Sequence, residues 1–441
     1  MLTDPIVALA TPPGRAALAV VRVSGAGAVE VTARVVPGLG RFPPRVASLA
    51  RFVEADGTAI DRGIATVFRA PASFTGEDLV ELSCHGGLAT PTRLVAALQS
   101  AGARAAAPGE FTRRAVLNGK LGLLEAEAIA DLVDSTAPRQ ADAALDQLDG
   151  ALRRRLDALR ARVLDLQALL TYEIDFPDED DGPVPASQLR EAHAALLDDV
   201  RRLLATAPQG ERLRAGALVV LAGRPNAGKS SLFNALLGAE RALVTELPGT
   251  TRDAVEAGTT CEGWPVRLVD TAGLHDATER LDRLGVEVSR RYLGAADLVL
   301  LCVDGARELE GEECALAAEA RTVVVRTKHD LHEAPAHVEG ITVSAVTGEG
   351  LNALRRVIAT RAFGHGSDVI EPTLLRARHR DALAGAVEEL ASAGECLGEQ
   401  HDALLASHHL RAAGERLEEL IGTVATDDVL DRVFASFCVG K

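Results

Sequence analysis

The stretch GRPNAGKS, residues 223–230, stands between an apolar run, ALVVLA (217–222), and a helix-forming run, KSSLFNALLG (229–238). A buried strand, a glycine-bearing turn and a helix that opens on Lys-Ser make the arrangement that cradles phosphates. Gly223 and Gly228 permit the tight turn and the close approach of backbone. Backbone N–H groups and the helix N-terminus then face the anion. Lys229 is expected to reach the β- and γ-phosphates and Ser230 to offer its hydroxyl to Mg²⁺, with Asn226, Ala227, Gly228 and Ser231 completing the cradle.

Further elements follow in order on strand ends. PGTTRD (248–253) offers Thr250 and Thr251 on a loop able to close over the γ-phosphate and Mg²⁺. DTAG follows the strand PVRLVD: Asp270 is expected near Mg²⁺ through water, Thr271 and Ala272 beside the phosphates, and the Gly273 N–H at the γ-phosphate. TKHD (327–330) follows TVVVR, and there Asp330 can accept from the guanine edge, a pattern adenine does not supply. Thr327 and Lys328 flank it, and SAVTGEG (344–350) brings Ser344 and Ala345 to close over the base. Each motif alone is weak; in this order they specify GTP/GDP. Between 217 and 362 strands and helices alternate, which predicts a mostly parallel sheet covered by helices.

Two departures stand out. The base-reading element of GTPases normally begins with Asn. Thr327 has one hydroxyl in place of a carboxamide, so a hydrogen bond near the base or loop is lost and GTP affinity is expected to fall. Leu274 follows DTAG where many GTPases place a water-orienting Gln. Asn226, with the extended loop ALVTELPGTTRD (242–253), resembles GTPases activated by a monovalent cation. That resemblance implies K⁺ held by Asn226 and by Thr245, Leu247 and Thr250 of the loop, where it would neutralise charge developing between the phosphates. The alternative is that Asn226 merely caps the loop.

Outside this segment, residues 1–116 read as mixed α/β, with strands IVALAT, ALAVVRVSG, GIATVFRA and LVELSC and helical pieces at 26–36 and 88–101. Leu145, Leu148, Leu152, Leu156, Leu159, Val163, Leu166 and Leu170 form one apolar stripe, as on a long packed helix. EIDFPDEDDG (173–182) reads as a charged loop, 188–206 and 372–437 as helical. The simplest architecture inserts the nucleotide domain into a helical domain whose halves flank it.

At 441 residues and 47% hydrophobic content the chain is too long for one core. It has no run long and apolar enough to span a membrane, no secretory start at MLTDPIVALATPPGR, and no C-x-x-C pair among its six cysteines; a reducing cytoplasm is expected. Its net charge of −16 disfavours generic nucleic-acid binding. Only four of 47 basic residues are lysines (Lys120, Lys229, Lys328, Lys441), which singles these positions out for a compact ammonium.

IVALATPPGR (6–15), SFTGEDLVELSCHGG (73–87), PGEFTRRAVLNGKLGLLEAEAIADL (108–132), YEIDFPDED (172–180) and the terminal FCVGK (437–441) resemble the MnmE (TrmE) family of tRNA-modifying GTPases over essentially the whole chain. The resemblance implies an N-terminal α/β tetrahydrofolate-binding and dimerisation domain (1–117), a discontinuous helical domain (118–213 and 364–441) and an inserted P-loop GTPase domain (214–363). It implies a homodimer that works with the flavoprotein MnmG (GidA), as a heterotetramer or larger complex, on carbon 5 of the tRNA wobble uridine, with tRNA bound mainly through the partner. The one-carbon unit would come from a 5-formyl- or methylene-tetrahydrofolate, contacted by Arg22, Glu81, Lys120 and Lys441. Without the resemblance, Arg22 and Glu81 read equally as a surface ion pair. Cys438 falls at a position implicated in the carbon chemistry; a buried cysteine acting as a small hydrophobe is the alternative. The group that positions the attacking water falls on Asp282, with Glu279 nearby. Two other classes stay open: a GTP-dependent assembly or ribosome-associated switch without carbon chemistry, and a folate binder that has lost GTP turnover.

Overall fold

The computed structural model describes residues 4–176, 185–238, 255–270, 291–305, 307–331, 339–364, 376–398, 402–422, 427–435 and 437–440. The chain divides into two compact units, Met1–Ala130 with Ile421–Lys441, and Asp131–Leu420.

The first unit contains β1 (Ile6–Leu9), β2 (Leu18–Ser24), α1 (Ala28–Ala33), β3 (Ser48–Val53), β4 (Ala59–Phe68), β5 (Leu79–His85), α2 (Ala89–Ser100), β6 (Arg104–Ala105), α3 (Glu110–Leu117) and most of α4 (Leu123–Asp134). The strands form one mixed sheet in the order β3-β4-β5-β2-β1-β6. Period-2 patterning fixes its faces. In β5, Val80, Leu82 and Cys84 are buried while Glu81, Ser83 and His85 take the other face. The buried face packs under α1 and α2, with Val21, Val23 and Leu82 against Val31, Leu94 and Leu98. On the other face Leu49 and Ile64 are cross-strand partners and stay 72% and 44% exposed. The terminal helix Asp427–Phe434 joins this unit through a small core of Leu123, Ala126, Leu430, Val433, Phe434 and Phe437.

The second unit holds α5 (Pro138–Leu148), α6 (Ala151–Asp175), α7 (Ala186–Leu204), α8 (Ala207–Ala215), β7 (Ala217–Ala222), α9 (Lys229–Gly238), β8 (Val255–Cys261), β9 (Trp264–Asp270), β10 (Leu298–Asp304), α10 (Glu312–Ala317), β11 (Thr322–Thr327), β12 (Ile341–Thr342), α11 (Leu351–Phe363), α12 (Ala377–Cys396) and α13 (Ala403–Ile421). Its sheet runs β12-β11-β10-β7-β9-β8, parallel throughout except for β8, which pairs antiparallel with β9. The chain reverses direction of winding at β7, so the loop after β7 lies at the switch point where open α/β sheets bind ligands.

Two readings are corrected here. The leucine stripe belongs to two helices, because Asp149 ends α5 and Gly150, at φ 81°, restarts the chain as α6; Leu145 is exposed, whereas Leu152 to Leu170 are buried. The alternation of strand and helix also omitted β8, whose sequence VEAGTTC lacks an apolar run. Helices from both sides of the nucleotide segment pack together. His193 of α7 donates from Nε2 to the Leu390 carbonyl of α12 (2.8 Å), and a Cβ at Gly394 would come within 2.7 Å of its ring. Arg160 of α6 pairs with Glu418 of α13. The sheet meets this helical layer at Trp264, stacked on Phe363 with centroids 4.6 Å apart and covered by the Arg139 guanidinium.

Candidate nucleotide and one-carbon sites

The loop after β7 has the conformation its glycines demand. Gly223 lies at φ 135°, and a Cβ there would fall 2.3 Å from the Cys302 carbonyl oxygen of β10. Gly228, at φ 81°, leaves room for Thr327, which a Cβ would meet at 3.3 Å. Asn226 sits at φ 63°, left-handed although it is not glycine, with its side chain at the surface. Asn tolerates that region because its short polar side chain bonds locally. Lys229 is buried, and its Nζ donates to the carbonyls of Gly223 and Arg224, both at 2.8 Å. Burial lowers its pKa, opposed by the charge of Asp270. The Cys302 thiol beneath the loop is pushed up to about 12 by burial, so it stays neutral. Asp270, buried at the end of β9, acts on this lysine through its charge. Ser230 and Ser231 are exposed at the start of α9, where free helix N–H groups lie. These residues fit a nucleotide phosphate tail with Mg²⁺.

The base-reading segment is preformed as well. Asp330 accepts from the Ser344 hydroxyl (2.7 Å), and that oxygen accepts in turn from the amides of Val346 and Thr347. Lys328, at φ 57°, donates to Asp304 at 2.9 Å. Thr327 keeps one hydrogen bond across the site. Its buried hydroxyl donates to the Ala227 carbonyl of the phosphate loop at 2.8 Å, with the Val303 carbonyl at 3.2 Å. The threonine therefore links the two halves of the site. Asp304 was missed in the sequence, although its place at the end of LVLLCVD marks a strand terminus beside the site. Thr245, Leu247, Thr250, Thr251, Thr271, Ala272, Gly273, Leu274, Glu279, Asp282 and Lys441 lie outside the described residues.

A second constellation lies in the first unit. Arg22 and Glu81 face each other across β2 and β5 and pair at 2.8 Å. The Arg22 guanidinium also lies 5.7 Å from the centroid of Phe74, an aromatic that sequence reasoning did not single out. Lys120 packs on Gly76, whose Cβ would meet its stem at 3.1 Å. A buried network fixes the 73–78 loop. Arg114, 1% exposed, bonds Glu110 at 2.9 Å, Glu77 at 3.3 Å and the Asp4 carbonyl at 3.0 Å, and Asn118 donates to the Thr75 carbonyl.

The C-terminal tail reaches the same unit. Val439 bridges Pro108, the Gly109 amide donates to the Cys438 carbonyl (3.3 Å), and Gly440 approaches β1 so closely that a Cβ would lie 2.4 Å from the Leu9 carbonyl. Neighbouring Ala8 pairs in register with Arg22. Cys438 is exposed, which is not the setting of a packing cysteine.

Comparison with known proteins identifies the family. The model of the MnmE helical domain matches residues 123–438, and that of the GTP-binding protein TrmE N-terminus matches residues 5–120. The tRNA modification GTPase MnmE of Moorella thermoacetica is 40% identical over all of both chains. That of Azoarcus sp. is 42% identical over 99% of this chain and 98% of its own. Among solved structures, the G domain of the T. maritima FeoB iron transporter is 30% identical, covering 33% of this chain and 98% of its own at a TM-score of 0.24. With the helical-domain model matching residues 123–438 and a relative 40% identical over the full length of both chains, the chain belongs to the MnmE (TrmE) family of tRNA modification GTPases.

Proposed function

We propose that this GTPase of tRNA modification acts with the flavoprotein MnmG (GidA) to install an aminomethyl-type group, such as carboxymethylaminomethyl, at carbon 5 of the wobble uridine. A tetrahydrofolate would supply the one-carbon unit. The observation that carries this reading is the meeting of the Phe-Cys-Val-Gly tail with the unit that holds Arg22, Glu81 and Lys120. A pure switch has no need of an exposed cysteine held there. In this reading Glu81 accepts from the pterin N–H edge, Arg22 and Phe74 bound the ring, and Lys120 with Lys441 meets the anionic tail. GTP is bound through Lys229, Ser230 and Asp330 with Mg²⁺ at Ser230 and Thr251, K⁺ at Asn226 takes the place of an arginine finger, and Asp282, with Glu279 nearby, positions the attacking water. The exposed pair Leu49 and Ile64 on the uncovered sheet face supports a homodimer through the N-terminal domain. Domain limits of 1–117, 118–213 with 364–441, and 214–363, and a cytoplasmic location, complete the proposal; among the described residues no helix is long and apolar enough to cross a membrane.

Removal of Gly440 and Lys441 tests the folate site. Titration calorimetry with 5-formyl-tetrahydrofolate should show weakened binding while basal GTP hydrolysis persists. Undiminished folate affinity would take the tail out of the site.

A further inference from the structure

Glu313 lies on the short helix α10, outside every nucleotide motif, and its side chain is 9% exposed. A buried carboxylate must be paired. Glu313 accepts from Arg307 Nη2 at 2.5 and 2.7 Å and from the Glu310 amide at 3.2 Å. On its other side Arg224, the second residue of GRPNAGKS, approaches at 3.5 Å and also donates to Glu310 at 3.0 Å. The Arg307 carbonyl in turn accepts from Arg326, a buried arginine immediately before Thr327. One carboxylate thus joins the phosphate loop, the loop before α10 and the end of β11. Burial pushes the Glu313 carboxyl up, but its hydrogen bonds from Arg307 and Glu310 and the charges of Arg307 and Arg224 outweigh that and hold it below its ordinary value.

We propose that Glu313 is a positioning residue for nucleotide binding, holding Arg224 so that the Arg224 carbonyl stays where Lys229 uses it. Lys229 Nζ has two loop acceptors, and Arg224 supplies one of them. The outer half of the loop, Arg224 to Asn226, is exposed, so packing does little to fix it. The ion cluster fixes it from α10, and Thr327 fixes the inner half at Ala227. Glu313 also accepts from the Glu310 amide in the turn before its own helix. A purely local turn contact would lower stability and leave nucleotide release insensitive to Arg224.

The test is release of a fluorescent GDP analogue from the full chain, followed by stopped flow, for wild type, Glu313→Gln, Arg224→Gln and the double variant. K⁺ is held constant and choline chloride varied. Each single change should speed release about three- to tenfold, as expected for a partly screened charge-assisted contact. The double variant should release no faster than the faster single, because both remove one contact. The effect should shrink as choline chloride rises. Arg224 is half exposed and its replacement leaves Glu313 paired with Arg307, so it decides the matter even where Glu313→Gln folds poorly. Wild-type release in Arg224→Gln, or factors that multiply in the double variant, would overturn the proposal.

Discussion

Lys229 is the residue proposed to bridge the phosphates, and its Nζ is held by the carbonyls of Gly223 and Arg224. Replacing it with Ala should abolish GTP hydrolysis, measured as phosphate release by the purified protein; wild-type turnover would sink the assignment. Thr327→Val keeps the shape of the side chain and deletes the hydroxyl, leaving the Ala227 carbonyl without that donor. Nucleotide affinity should drop about tenfold, the usual cost of a buried acceptor left bare, while Thr327→Ser stays near wild type. Equal affinities for all three proteins would contradict the link. At this scale the sequence was legible where chemistry is carried by backbone and charge: Gly223, Gly228, Lys229 and Asp330 could be assigned from spacing alone. The partner of Thr327 could not, because the contact crosses 100 residues and depends on which strand lies beside which. Glu313 was invisible for the same reason.

Elements show a similar division. β7 and β10 are buried along almost their whole length and read directly as continuous apolar runs. β8 is an edge strand, and nothing in VEAGTTC requires burial on two faces. The leucine spacing runs past Gly150 without a change of period, so only the φ of 81° there separates α5 from α6. His193 joins α7 to α12 as a neutral, buried donor, and burial lowers its pKa from the ordinary 6.5. The unfolded chain therefore takes up a proton at a higher pH than the folded one. Stability should fall as pH drops below about 6.5, by at most about 1.4 kcal/mol per pH unit for this one proton. Urea melts between pH 7.5 and 5.5 should show a shallower slope for His193→Gln. Identical slopes would mean that His193 is protonated in the folded chain. The seam at Trp264 offers a second test. Phe363 is buried against this ring, and Phe363→Ala should cost about 3–5 kcal/mol in unfolding followed by tryptophan emission. This chain has one tryptophan, so the signal reports that seam alone. A loss under about 1 kcal/mol would show that the stack contributes little.

For the whole molecule, the acidic composition and scarcity of lysine bear on function more than on fold. A chain of net charge −16 is a weak generic binder of nucleic acid, and its few lysines fall in the candidate nucleotide motifs and at the proposed folate positions. If K⁺ binds at Asn226 as proposed, hydrolysis should require it, with Na⁺ a poor substitute; Asn226 is exposed on the phosphate loop at φ 63°. A cation acting like an arginine finger could supply much of the roughly 10³–10⁵ effect of such fingers, and equal rates in the two salts would exclude it. The central claim, that GTP turnover at Lys229 drives modification of the wobble uridine, is tested most directly by mass spectrometry of tRNA nucleosides from cells lacking this protein, complemented with wild type or with Lys229→Ala. The carbon-5 modification should be lost in the deletion, restored by wild type and not restored by Lys229→Ala; full modification in the deletion, or rescue by the variant, would contradict that role.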